Sequence, residues 1–245
     1  MRESLNKSQI ERFSRQIVLK NIGAKGQKKI LSSKILIIGV GGLGCPAAEN
    51  LVRAGIGTIG LVDNDIINLS NIHRQSLFTS KDIKKSKVSV AAKKLREINP
   101  STKIKTYKLR LNKNNIKNII KDYEIIIDGS DNFKTKFLIN DFCLKFKKKL
   151  VTGAISKFDG HVFTFDFNDK KTASLKSFYQ ENEISDNDLN CEFEGVLGTT
   201  ASIVGTTQAN EALKMIMKIG QSLKNQILII DLLNLNFRKV KFNRK

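Results

Sequence analysis

KILIIGVGGLG, residues Lys34 to Gly44, decides the fold class. An apolar run from Lys34 to Ile38 opens a strand that reads from Lys34 to Gly39, and Leu43 to Ala54 reads as the helix it feeds. Between them Gly39, Gly41 and Gly44 satisfy G-x-G-x-x-G, with Gly42 as a further glycine. Glycine lets the chain turn tightly and lets an anion reach the amides at a helix N-terminus, so strand, turn and helix together predict a nucleotide site.

Strands and helices alternate outward from this unit. Thr58 to Val62, Lys103 to Tyr107 and Glu124 to Asp128 read as strands. Lys85 to Ile98, Asn115 to Lys121 and Phe133 to Phe146 read as helices, the first closed by Asn99-Pro100, where proline disfavours helix at the preceding residue. Leu150 to Ala154 and His161 to Phe167 are strands of a less regular later part. A small-residue helix runs from Gly195 to Ile219, and strands follow at Gln226 to Asp231 and Asn236 to Val240. The expected fold is α/β and Rossmann-like. A mostly parallel sheet carries helices on both faces, and later antiparallel strands extend it. Gly39, Asp63 and Asp128 fall at strand ends, and ligands of such sheets bind beyond the carboxyl ends of the strands. Residues 1–245 are expected to form one domain, with a helical arm over 1–33. Residues 168–194, polar and without period, are expected to be a mobile crossover loop.

Composition narrows the classes. At 245 residues and 40% hydrophobic content the chain can bury one substantial core. Its apolar runs are strand-length rather than membrane-spanning, and the N-terminus carries no apolar signal region, so a cytoplasmic location is expected. Three widely separated cysteines without a CxxC suit a reducing compartment. A net charge of +20 raises nucleic acid as a partner. No aromatic-interleaved basic stretch accompanies it, so scattered solvated lysines around an anionic ligand site are the preferred reading, and nucleic acid is not expected.

Asp63 lies at the end of the second strand, where a carboxylate can hold ribose hydroxyls, followed by Asp65. To this point an NAD enzyme is an equal alternative. Arg74, Lys87 and Asp131 break the tie. A pyrophosphate met by backbone amides rarely needs additional cations, whereas a triphosphate under attack does, and Asp131 could hold Mg²⁺ through an oxygen. Each has a plain alternative: Lys87 as a surface residue, Asp131 as a cap on the helix after Asn132.

In their order, RFSRQI (Arg12 to Ile17), GVGGLGCPAAENLVRAGIGTIGLVDND, LSNIHRQ, KSKV, DGSDNF and GVLGTTASIVGTTQANEAL resemble the bacterial adenylyltransferases related to ubiquitin-activating enzymes, typified by MoeB, ThiF and HesA. The resemblance runs from about Glu11 to about Phe242. It implies ATP-dependent adenylation of the C-terminal Gly-Gly carboxylate of a small ubiquitin-like sulfur-carrier protein, in molybdopterin or thiamine biosynthesis. It also implies a homodimer and a later sulfur donor protein. By the resemblance, Gly42, Asp63, the stretch from Ser70 and Asn71 to Arg74, and Lys87 contact the nucleotide. Asp131 with Asn132 beside it holds Mg²⁺, and Arg15 reaches the neighbouring subunit's site as an arginine finger. A carboxylate is already ionised at pH 7, so the reaction needs opposing charge rather than a general base.

Two departures stand out. Many relatives carry two CxxC pairs that bind a structural zinc; here Ser174-Leu175-Lys176-Ser177 keeps the first spacing without the thiolates, and no zinc is expected. Cys191 aligns with the cysteine that in some relatives forms a covalent link, and a place near a helix N-terminus favours that role over a packed thiol. His161 is expected to be structural. A tRNA-modifying dehydratase of the same superfamily and a non-catalytic nucleotide-binding scaffold are the alternative functions.

Overall fold

A computed structural model of the chain describes residues 4–179 and 195–242. Its eight-stranded sheet has the order β3-β2-β1-β4-β5-β6-β7-β8, where β1 is Lys34–Ile38, β2 Thr58–Val62, β3 Lys103–Tyr107, β4 Ile125–Asp128, β5 Lys149–Ser156, β6 Asp159–Asp166, β7 Gln226–Asp231 and β8 Asn236–Lys241. Strands β3 to β5 in that order pair in parallel, and β5 through β8 pair antiparallel. The expected mixed sheet is therefore observed, with strand ends at the expected residues or shifted by one or two.

The continuous apolar runs are explained by burial on both faces. Side chains alternate along a strand, so Ile35 and Ile37 enter one core while Leu36 and Ile38 enter the other. The first core is covered by α2 (Gly23–Ser32), α3 (Gly44–Ala54), α4 (Lys87–Ile98) and a long helix, Gly198–Met217. The second is covered by α5 (Ile116–Ile120) and α6 (Phe133–Lys145). The arm's first helix, α1 (Lys7–Ile17), is closed by an Asn6–Gln9 capping box and buries Phe13. Gly198–Met217, the seventh α-helix among the described residues and labelled α7, packs on α3 and across β4, β5 and β6. Among the described residues no helix is long and apolar enough to cross a membrane.

Residues 168–179, expected to open a mobile loop, are instead packed. Thr172, Ala173 and Leu175 are buried, and Leu175–Ser177 forms a 3-10 turn. The pattern was missed because the buried positions are spaced irregularly and separated by polar residues that reach outward. Residues 180–194, the remainder of that segment, lie outside the described residues.

Candidate active site

The sheet reverses its winding between β1 and β4, and the turns leaving their carboxyl ends meet there. Gly39 donates to Val62 O (2.9 Å) and Gly129 donates to Ile38 O (2.8 Å). Gly39 has φ +87°, and a Cβ there would stand 2.7 Å from Gly129 O, so the fold itself demands glycine. At Gly44 a Cβ would fall 1.9 Å from Gly39 O, so this residue serves the close packing of helix on turn. Gly41 differs. Nothing but the Gln75 amide, 3.6 Å away, lies within 4 Å of a Cβ there. No contact among the described residues requires glycine at 41, which suits close approach of a ligand to the backbone.

This turn forms one wall of a cavity of about 500 Å³, of the size that small-molecule sites occupy. Gly39, Gly41, Gly42, Asp63, Asp65, Arg74, Lys87, Asp131 and Asn132 line it. Gly44, Ser70 and Asn71 do not: the Asn71 side chain accepts from Asn68 N (3.1 Å) and stiffens the turn that presents Arg74. Arg15 is exposed on α1 and is not part of the wall. Cys191 lies outside the described residues.

The charges are held by local bonds. Asp63 accepts from Val40 N and Asp65 N, each at 2.8 Å, and burial pushes its carboxyl above the usual range. Asp65 in turn pairs with Lys87 at 2.8 Å; the lysine side chain is only 8% exposed, contrary to the surface alternative. Arg74 donates to Ser70 O (2.8 Å) and lies 2.7 Å from His73 Nε2, so its guanidinium is aimed by its own turn. Asn132, not Asp131, caps α6, accepting from Thr135 N at 2.9 Å. Asp131 receives only the Asn132 amide (3.1 Å) among the hydrogen bonds of the described residues.

Beneath this surface lie Asp128, expected at a strand end, and two residues that the sequence does not single out, Lys136 and Gln208. Asp128, 1% exposed, accepts from Ser130 N (2.9 Å), Ser130 Oγ (2.6 Å), Thr152 Oγ1 (2.5 Å) and Lys136 Nζ (3.3 Å). Lys136 also donates to Gly153 O (2.6 Å), and Gln208 on α7 donates to Asp128 O (2.8 Å). The signal for Lys136 was its place on the helical stripe shared with Ile139, Asn140 and Cys143, all buried. By binding the Ser130 amide, Asp128 shapes the turn that carries Asp131.

Residues 13–245 match the ThiF family. The chain belongs to the ThiF family. Among relatives in that family, "Sulfur carrier protein adenylyltransferase" of Thermus thermophilus is 35% identical, covering 97% of this chain and 89% of that protein. "Probable molybdopterin-synthase adenylyltransferase" of Porphyra purpurea is 41% identical, covering 94% of this chain and 60% of that one. "Adenylyltransferase and sulfurtransferase MOCS3" of Drosophila virilis is 39% identical, covering 99% of this chain and 53% of that one. The chain thus spans little more than half the length of the latter two. The fold is shared with a crystal structure of Escherichia coli MccB with ATP, at a TM-score of 0.83 and 20% identity over 96% of this chain and 72% of that one.

In the wall of the same cavity His161 faces Tyr179, with Nδ1 3.1 Å from the phenol oxygen. His161 was expected to be structural, yet it lines the wall. Burial lowers its pKa, partly opposed by Asp159, and burial raises the Tyr179 phenol to about 12. The neutral imidazole therefore stabilises the fold above the unfolded value of about 6.5, and that contribution is lost as pH falls through it. Between about pH 7.5 and pH 5.5 the wild-type Tm should drop further than that of His161→Asn. Equal drops would show that His161 titrates alike in both states.

Proposed function

We propose that the chain adenylates the C-terminal carboxylate of a small ubiquitin-like sulfur-carrier protein ending in Gly-Gly, using ATP and releasing pyrophosphate. The observation that carries this reading is the convergence of Arg74, Lys87 and Asp131 on one cavity with the glycine turn, in a chain of the ThiF family. The carrier class follows from the names of the relatives.

In the proposed reaction a carboxylate oxygen bonds to the α-phosphorus. The bond from that phosphorus to its bridging oxygen breaks, and its electron pair leaves with pyrophosphate. No proton moves, so the obstacle is the approach of one anion to another. The turn amides and Arg74 meet phosphate oxygens, and the Lys87 ammonium, held at the wall by Asp65, adds charge where it develops. Asp63 takes the ribose hydroxyls. Asp131 fits Mg²⁺: a magnesium ion on nucleotide phosphates needs only one or two protein carboxylates, and this one is exposed on the cavity wall. When bound, the metal would neutralise phosphate charge.

Arg15 lies off its own cavity, which supports action in the neighbouring subunit of a homodimer. Purified protein should exchange radiolabelled pyrophosphate into ATP only when a Gly-Gly carrier is present. Mixing Arg15→Ala with Asp131→Ala subunits should restore up to one working site per heterodimer. Exchange without a carrier would reject the substrate class, and mixtures as inactive as the separate variants would reject the trans role of Arg15.

A further inference from the structure

The segment after β6 makes bonds for which adenylation has no use. Asp169 pairs with Lys224, and Ala173 N donates to Asn225 Oδ1 (2.9 Å), whose Nδ2 donates to Lys171 O (3.2 Å). Leu175 N donates to Asn140 Oδ1 (3.0 Å), and Lys176 pairs with Asp141 (2.9 Å). Asn140 is fully buried on α6 and Leu175 is 1% exposed, so this amide has no water to turn to. One step further along, Tyr179 N donates to Leu175 O (2.9 Å). Tyr179 then packs its ring against Phe133 (4.9 Å between centroids) and meets His161, all three lining the cavity.

A zinc clip of the kind the resemblance implies does not fit these residues. Ser174 and Ser177 occupy the CxxC positions, but the Ser177 hydroxyl accepts from Ser174 N (3.2 Å) within the 3-10 turn, and hydroxyls are poor zinc ligands. Cys45 and Cys143 are buried in α3 and α6, where burial opposes thiolate formation. Among the described residues no group of three or more His, Cys, Asp or Glu could hold a metal.

We propose that Asn140 is a positioning residue that, with Asn225, ties residues 169–179 to the body by hydrogen bonds in place of a metal, and so sets the wall against which the acceptor's tail is held. This rests on the proposed function, since the acceptor is assigned to the part of the wall built by β5, β6 and Tyr179. That part is lined by Ala154, Ser156, Asp159, Gly160, His161 and Tyr179, none of them cationic at neutral pH. A loosened segment leaves the phosphate end intact, so the effect falls on the acceptor alone.

Hydrogen–deuterium exchange and steady-state kinetics on Asn140→Ala test this. Exchange across 169–179 should quicken at least about tenfold while β1 to β4 stay protected, because a buried amide has lost its acceptor. The KM for the carrier should rise about tenfold, with KM for ATP and kcat at saturating carrier within about threefold. Chelators should change neither exchange nor Tm of the wild type. Unchanged exchange over 169–179, or faster exchange with an unchanged carrier KM, would overturn the role. One tightly held zinc per chain would overturn the metal-free fastening. If Asn140→Ala does not fold, Asn225→Ala carries the same readouts. Failure of the wild type to use any carrier would sink the proposed function instead, and the exchange and chelator results would still decide how the segment is fastened.

Discussion

Asp131→Asn is expected to abolish adenylation in a protein that remains folded. The side chain is exposed on the cavity wall, caps no helix, and accepts one bond, from Asn132. An amide of the same shape can occupy the position without straining the turn, which is shaped from below by Asp128. What it removes, on the proposed function, is the charged oxygen that would hold magnesium at the reacting phosphates. Loss of such a group costs on the order of 3 kcal/mol or more in the barrier, a slowing of over about a hundredfold. Carrier-dependent pyrophosphate exchange, together with a melting curve, separates the two parts of this expectation. Near-normal exchange would show that Asp131 does not touch the reaction, and a collapsed melting curve would show that it belongs to the fold.

Lys136→Met should have the opposite signature, a loss of stability first and of activity as a consequence. The Asp128–Lys136 pair is buried on both sides, with side chains 1% and 5% exposed. Removing one partner of such a pair leaves an uncompensated charge, at a cost of about 3–5 kcal/mol. Asp128 keeps its bonds from Ser130 and Thr152, which places the expectation toward the lower end of that range. Adding Asp128→Asn to Lys136→Met removes the stranded charge and should recover part of the loss. Chemical denaturation measures both. A change below about 1 kcal/mol in the single variant would mean that the pair is solvated in solution and that the turn carrying Asp131 does not depend on it.

How much of this was legible in the sequence varies with the physical source of each feature. The parallel half was readable because β1, β2 and β4 are unbroken apolar runs that end in glycine or aspartate, a pattern that burial on both faces imposes. The same strand ends gave the nucleotide wall, since Gly39, Asp63 and the turn after Asp128 are local features whose meeting point follows from topology. Lys136, Gln208 and Asn140 were not readable in this way. Their partners are 8, 80 and 35 residues distant, and a lone polar side chain in a helix carries no mark of what it will meet. The packed segment 168–179 reads as the opening of a mobile crossover loop for a related reason. Its order comes from Asn140, Asn225 and Asp141 on other elements, and its own pattern has no period. Arg15 was suggested by resemblance alone, and its exposed place on α1 leaves its role to the mixing experiment.

Helix α7 also governs how the molecule can come apart. It rests on β4 and β5 of the parallel half and on β6 of the antiparallel half, and through Gln208 it holds the carbonyl of Asp128 at their junction. A nascent chain that has emerged only through β5 already contains every strand of the nucleotide-binding half, yet it lacks the cover that α7 gives to Val151 and the rest of β5. That intermediate has a greasy sheet face open to water, the condition that recruits chaperones during synthesis. The order of the genetic message thus makes α7 the step that commits both halves to the native state together.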